Sequence, residues 1–121
     1  MAMVGGPTAI PGLGTTVSPL PTWTSIFDTD VGSTNTITLA GITAPITISA
    51  AITGTGTLFY FLNGAFLPYT GAFSASAGDS LGWTIENGDS RRLSGVITVT
   101  NTTASQALAT IHYSVGVSGH S

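Results

Sequence analysis

The chain has no cysteine and no lysine, and its only arginines are the adjacent Arg91 and Arg92. Without thiols there is no disulfide framework and no thiolate-bound metal, and nothing marks the redox compartment. Charged residues make up 6% of the 121, against about 25% in ordinary soluble domains. A formal charge of −3 with two basic side chains cannot neutralise a phosphate backbone, so nucleic acid is not expected as a partner. Long apolar runs are also missing. The strongest, Leu58-Phe59-Tyr60-Phe61-Leu62, is closed at once by Asn63-Gly64 and falls far short of the roughly 20 residues a membrane-spanning helix needs. No membrane partner is expected. Nor is a secretory signal, because no Lys or Arg precedes the first apolar residues and Pro7, Pro11 and Gly12 interrupt them. Synthesis in the cytoplasm follows as the expectation.

Surface charge keeps a free protein soluble and discourages association. A skin this neutral is tolerated most easily when neighbours cover much of it. The length suits one domain with one core and no staples.

Two regions separate along the chain. Residues 1–22 are rich in Gly, Pro and Thr. Pro7, Pro11, Pro19 and Pro21 each remove a backbone donor and fix φ, which bars a regular helix or a central strand. An extended arm is expected. Met3, Val4, Ile10, Leu13, Val17 and Leu20 give it more apolar content than a solvating tail needs. Val4, Ile10, Leu13, Val17 and Leu20 are therefore candidate interface residues, ordering by lying on something else.

Residues 23–121 carry a period of two, the mark of half-buried strands. In 108–117, Ile111, Tyr113, Val115 and Val117 fall on one face, with Thr110, His112, Ser114 and Gly116 on the other. In 80–86, Leu81, Trp83 and Ile85 are expected inward and Ser80, Gly82, Thr84 and Glu86 outward. Shorter alternations occupy 36–39 and 46–49, residues 96–100 form a β-branched run after Gly95, a candidate bulge, and 23–27 would be the first strand. Residues 58–62 are apolar on both faces, as in a central strand or one lining an interface. Asn63-Gly64 and Asn87-Gly88 are strong hairpin signals, since both central positions of a type I′ turn need positive φ. Gly32-Ser33, Gly54-Thr55-Gly56, Gly78-Asp79 and Asn101-Thr102-Thr103 mark further turns. The fold class that results is all-β: an antiparallel β-sandwich, immunoglobulin-like or jelly-roll-like, of about seven or eight strands with an extended N-terminal arm.

Titratable groups are few: Asp28, Asp30, Asp79, Glu86, Asp89, His112, His120, two arginines and three tyrosines. Gly78-Asp79-Ser80-Leu81 has the letters of the GDSL hydrolase signature, in which the serine is the nucleophile. That chemistry needs a histidine base carried three residues after an aspartate, and Ala109 and Val117 precede His112 and His120 at that spacing. A turn is the reading kept: Gly78 for positive φ, Asp79 for local amides. His112 falls on an outward strand face as a surface or interface residue. Asp28 and Asp30 supply only two visible cation ligands. No catalytic residue, cofactor or metal is expected. Arg91 and Arg92 follow a turn and offset Asp89 and Glu86, or grip a carboxylate on a neighbouring subunit. Phe59, Tyr60, Phe61, Phe66, Tyr69 and Phe73 crowd one hairpin region. Core packing accounts for some of these rings. Phe66 and Tyr69 remain candidates for a hydrophobic interface or a glycan platform.

The segment Ile42–Ile48, the Phe59-Tyr60-Phe61-Leu62-Asn63-Gly64 hairpin, Gly78-Asp79-Ser80-Leu81-Gly82-Trp83 and the run Gly95–Asn101 together resemble a β-sandwich repeat of bacteriophage structural proteins and some bacterial surface proteins. The likeness covers about two-thirds of the chain, Ile37 to Val117, and consists of turn-and-strand motifs, which speak to fold more than to role. This chain departs from the array form in being one copy with a Pro/Gly-rich arm, which suits a small stand-alone virion component. The resemblance implies a non-enzymatic virion protein, a decoration (cement) protein on the capsid exterior whose partners are the major capsid protein or other virion proteins. A homo-oligomer is expected, a trimer suiting the local three-fold positions of capsids. The alternative is a tail, fibre or cell-surface module recognising a receptor or glycan.

Overall fold

A computed structural model of the chain describes residues 13–27, 31–86 and 93–115. Ten strands occur among them: β1 (Ile26–Phe27), β2 (Val31–Ser33), β3 (Ile37–Thr38), β4 (Ile46–Gly54), β5 (Thr57–Leu62), β6 (Ala65–Pro68), β7 (Phe73–Ala75), β8 (Ser80–Glu86), β9 (Leu93–Asn101) and β10 (Gln106–Val115). They form two sheets, ordered β1-β10-β9-β4-β7 and β2-β8-β5-β6, with β3 also pairing β8. Every pairing is antiparallel except β1 on β10. The fold is a β-sandwich, as the period of two predicts. The count exceeds seven or eight because β2, β6 and β7 have only three or four residues, too few to show a period in sequence.

Inward-facing aliphatic and aromatic side chains from both sheets make one core. Ile46, Ile48, Ile97, Val99, Ile111 and Val115 come from the first sheet, and Leu58, Tyr60, Leu81, Trp83 and Ile85 from the second. Trp83 is fully buried at the centre, edge-on to Trp23 at 6.0 Å between ring centroids. Tyr60 stacks on Phe73 at 4.0 Å. The Trp23 indole N–H donates to Leu81 O (2.9 Å), pinning the segment before β1 to β8.

Asn63-Gly64 forms the expected two-residue hairpin, with φ of 53° and 86°. Gly54-Thr55-Gly56 makes a turn, as expected, and it is the crossing from β4 in one sheet to β5 in the other. Other expectations need correction. Gly32 and Ser33 belong to β2, paired with Ile85 and Thr84. The bulge lies at Leu108 in β10, where the register with β9 shifts between Ala107 and Ala109, not at Gly95. A Cβ on Gly95 would collide with Thr53 O and with the Tyr113 hydroxyl, so glycine there permits close approach of β4 and β9. The outward positions Gly82 and Thr84 are buried. Residues 34–36 cross over Gly82, where a Cβ would lie 2.9 Å from Thr36 Cγ2, and Phe59 is the cross-strand neighbour of Thr84.

Candidate interaction surfaces

The leading segment is tied to its own domain. Leu13–Thr15 forms one turn of 3-10 helix, against the expectation of a wholly extended arm. Gly14 O accepts from Thr43 N at 2.8 Å, and Thr15 O accepts from Asn101 Nδ2 at 2.6 Å. The Gln106 amide clasps the backbone of Val17 on both sides: Val17 N donates to its Oε1 (2.9 Å) and its Nε2 donates to Val17 O (2.8 Å). Val17 itself is 2% exposed within the chain's own core. Burying a valine contributes about 1.5–3 kcal/mol and each hydrogen bond about 1. That is the scale of ordering roughly three residues. Val17 is thus spent on the chain's own core and cannot contact a neighbour. Leu20 is 55% exposed and stays available. Leu13 contributes its backbone to the helical turn, and Val4 and Ile10 lie outside the described residues.

Across β4, β9 and β10 the exterior of the first sheet is a field of hydroxyls and methyls, and on its edge strand β1 Phe27, paired with Ser114, is 57% exposed. In register across β4, β9 and β10 stand Ala51, Thr98 and Thr110, then Thr53, Val96 and His112. The five strands of this sheet contain no Asp, Glu, Lys or Arg. His112 lies exposed among them.

The exterior of the second sheet carries rings. Phe59 and Phe66 stack at 4.8 Å with planes 4° apart, and Phe61 leans on Phe66 at 5.1 Å. Phe59 and Phe61 are half-buried, whereas Phe66 is 45% exposed on the edge strand β6. Pro68 shapes that edge. Tyr69 N donates to Leu58 O (3.0 Å), and antiparallel alternation then turns the main-chain groups of Phe66 and Pro68 away from β5. Proline has no N–H, so Phe66 holds the single outward donor of β6, and the edge is a poor template for strand addition. What β6 offers is side-chain surface. Tyr69 does not belong to it. Its hydroxyl accepts from Ala50 N (2.9 Å) and its ring meets Tyr60, Phe73 and Trp83 in the interior, so it cannot serve a glycan platform.

The remaining polar side chains do structural work. Asp79 accepts from Ser76 N (2.8 Å) and from Asn63 Nδ2 (3.2 Å), the expected turn chemistry. Ser80 opens β8 with its N–H donated to Asn63 Oδ1. Tyr113 donates to Thr55 O at 2.6 Å, and burial pushes its phenol above its ordinary range. Among the described residues no group of three or more His, Cys, Asp or Glu stands close enough to hold a metal, and no helix is long and apolar enough to cross a membrane. Asp28, Asp30, Asp89, Arg91, Arg92 and His120 lie outside the described residues. Asn101 reads as a turn marker in sequence but is buried at the end of β9, and neither its role nor that of Gln106 shows in sequence, because a buried amide clamp has no spacing motif. Across all comparisons, no family model, no curated protein and no solved structure matches the chain.

Proposed function

We propose that this chain is a non-catalytic structural module of a larger protein assembly, of the virion-decoration kind, which docks through the aromatic exterior of its second sheet. The observation that carries the reading is the Phe59–Phe61–Phe66 cluster, half-buried at Phe59 and Phe61 and exposed at Phe66, on a sheet whose only charged strand residue among the described residues is Glu86. Rings presented on a neutral surface bury well against protein and are costly to leave in water. The blunted β6 edge favours a side-chain interface over strand exchange. Partners would be a major capsid protein or another virion protein, with further copies of the chain beside it, and residues 1–12 together with Leu20 would add apolar contact. Co-sedimentation with purified capsids tests this. Wild type should bind saturably, and Phe66→Ser should bind at least tenfold more weakly, as expected for an aromatic hot spot worth about 2 kcal/mol. A folded wild-type protein that binds no capsid overturns the decoration reading.

The flat, exposed face of Phe66 favours a second reading, a receptor- or glycan-binding module of a tail, fibre or cell surface. Binding on a glycan array that disappears in Phe66→Ala selects this reading; an empty array removes it.

A further inference from the structure

The Asn63-Gly64 turn has chemistry beyond its geometry. Asparagine followed by glycine is the pair most open to attack of the next backbone nitrogen on the side-chain amide, because glycine has no Cβ to obstruct it. Here that amide is fully engaged. Its Oδ1 accepts from Ser80 N (2.9 Å) and its Nδ2 donates to Asp79 Oδ1 (3.2 Å), while Asn63 N donates to Ser80 O (2.8 Å). Asp79 in turn holds Ser76 N, and the main chain of Gly78-Asp79 brackets Leu39, with Leu39 N donating to Asp79 O and Gly78 N donating to Leu39 O. One carboxamide thereby latches the β5–β6 hairpin to the turn between β7 and β8.

We infer that Asn63 is a gated deamidation site, protected while latched to Asp79 and Ser80 and converted irreversibly when the latch opens. In the reaction the Gly64 nitrogen bonds to Asn63 Cγ, the Cγ–Nδ2 bond breaks, and the amide proton leaves with the nitrogen as ammonia. Water then opens the succinimide to an aspartyl or isoaspartyl residue. The cyclisation requires Cγ to swing over the Gly64 nitrogen, which it cannot do while both ends of the amide are held. The product cannot relatch. An aspartate at this position has no N–H for Asp79 and sets two carboxylates face to face, each disfavouring the other's charge. The modification adds a negative charge to a nearly uncharged molecule and loosens the turn of the hairpin that bears Phe59, Phe61 and Phe66, while β5 stays paired with β8. The inference stands apart from the docking proposal and is tested without any partner.

Folded full-length protein is incubated at mildly alkaline pH and conversion at Asn63 is followed by peptide mapping. Asp79→Ala, which removes a charge-assisted bond, should deamidate roughly tenfold faster than wild type. Gln106→Ala, destabilised at a distance from the turn, should keep the wild-type rate at Asn63. A second arm needs no kinetics. Asn63→Asp should lower the melting temperature, and the pair Asn63→Asp with Asp79→Asn, which restores donor and acceptors in exchanged positions, should recover most of the loss. Equal rates in wild type and Asp79→Ala, equal acceleration in Gln106→Ala, or no recovery in the double variant would each overturn the inference.

Discussion

The two sheets share one core and differ on their outsides. The first is built around β4, β9 and β10, of 9, 9 and 10 residues, whose outward positions are Thr, Ser, Ala, one Val and one His. The second is shorter, apolar on both faces of β5, and ends in β6, exposed at all four residues. Hydroxyls that can bond to water or to each other make the first exterior compatible with solvent without charge. The second exterior has a cluster of three rings in the equivalent layer, whereas among the described residues the first carries the ring of Phe27 alone on its edge strand β1. The difference teaches that low charge does not distinguish the two exteriors; the clustering of aromatics does, and the proposed docking face rests on it.

The largest expected effect tests what the sheets have in common. Trp83→Ala removes a fully buried ring in contact with Trp23, Tyr60, Tyr69 and Phe73, and should cost about 3–5 kcal/mol in urea unfolding. Ile97→Ala, across the core, should cost about 2–5. If either is nearly neutral, the single shared core is wrong. Next comes the leading segment. Gln106→Ala strips both bonds from Val17 and a partner from Asn101, and should cost about 1–3 kcal/mol with faster amide exchange at Val17. Unaltered exchange would mean that the clasp does not hold the segment.

How much of this was legible in sequence follows from length and period. Strands β9 and β10 alternate over enough residues that Ile111, Tyr113 and Val115 could be assigned inward directly, and they are buried. Val17 has no periodic neighbours among Pro, Gly and Thr, so its place in the core depends on Gln106, 89 positions away, with Asn101 holding Thr15 beside it. Phe66 and Tyr69 looked alike in a ring-rich stretch. Their opposite fates depend on where a four-residue strand ends and which way the chain then turns. Thr84 reads as solvent-facing by alternation, yet lies buried, because Phe59 shares its face only after β5 and β8 are paired.

A smaller effect is expected at alkaline pH. The Tyr113 pKa is raised in the fold by burial, so the phenol ionises more readily in the unfolded chain. Its contribution is fully present below the unfolded value, about 10, and is lost as pH rises through the folded value. Tyr113→Phe should be less stable near neutrality, by about 1 kcal/mol for the lost bond to Thr55, but its stability should fall less above that range. Parallel pH profiles for the two proteins would contradict the assignment. Smallest of all, Thr98→Ala on the hydroxyl exterior should change folding stability by no more than about 0.5 kcal/mol; a larger loss would make that face a structural network.

The most direct test of the contrast places the same charge on each exterior and measures co-sedimentation with purified capsids. Phe66→Lys should abolish binding, while Thr98→Lys, on the central strand of the other sheet, should bind as wild type does. Equal binding by both folded variants, or loss in Thr98→Lys alone, would contradict the claim that the aromatic face is the one covered in the assembled state.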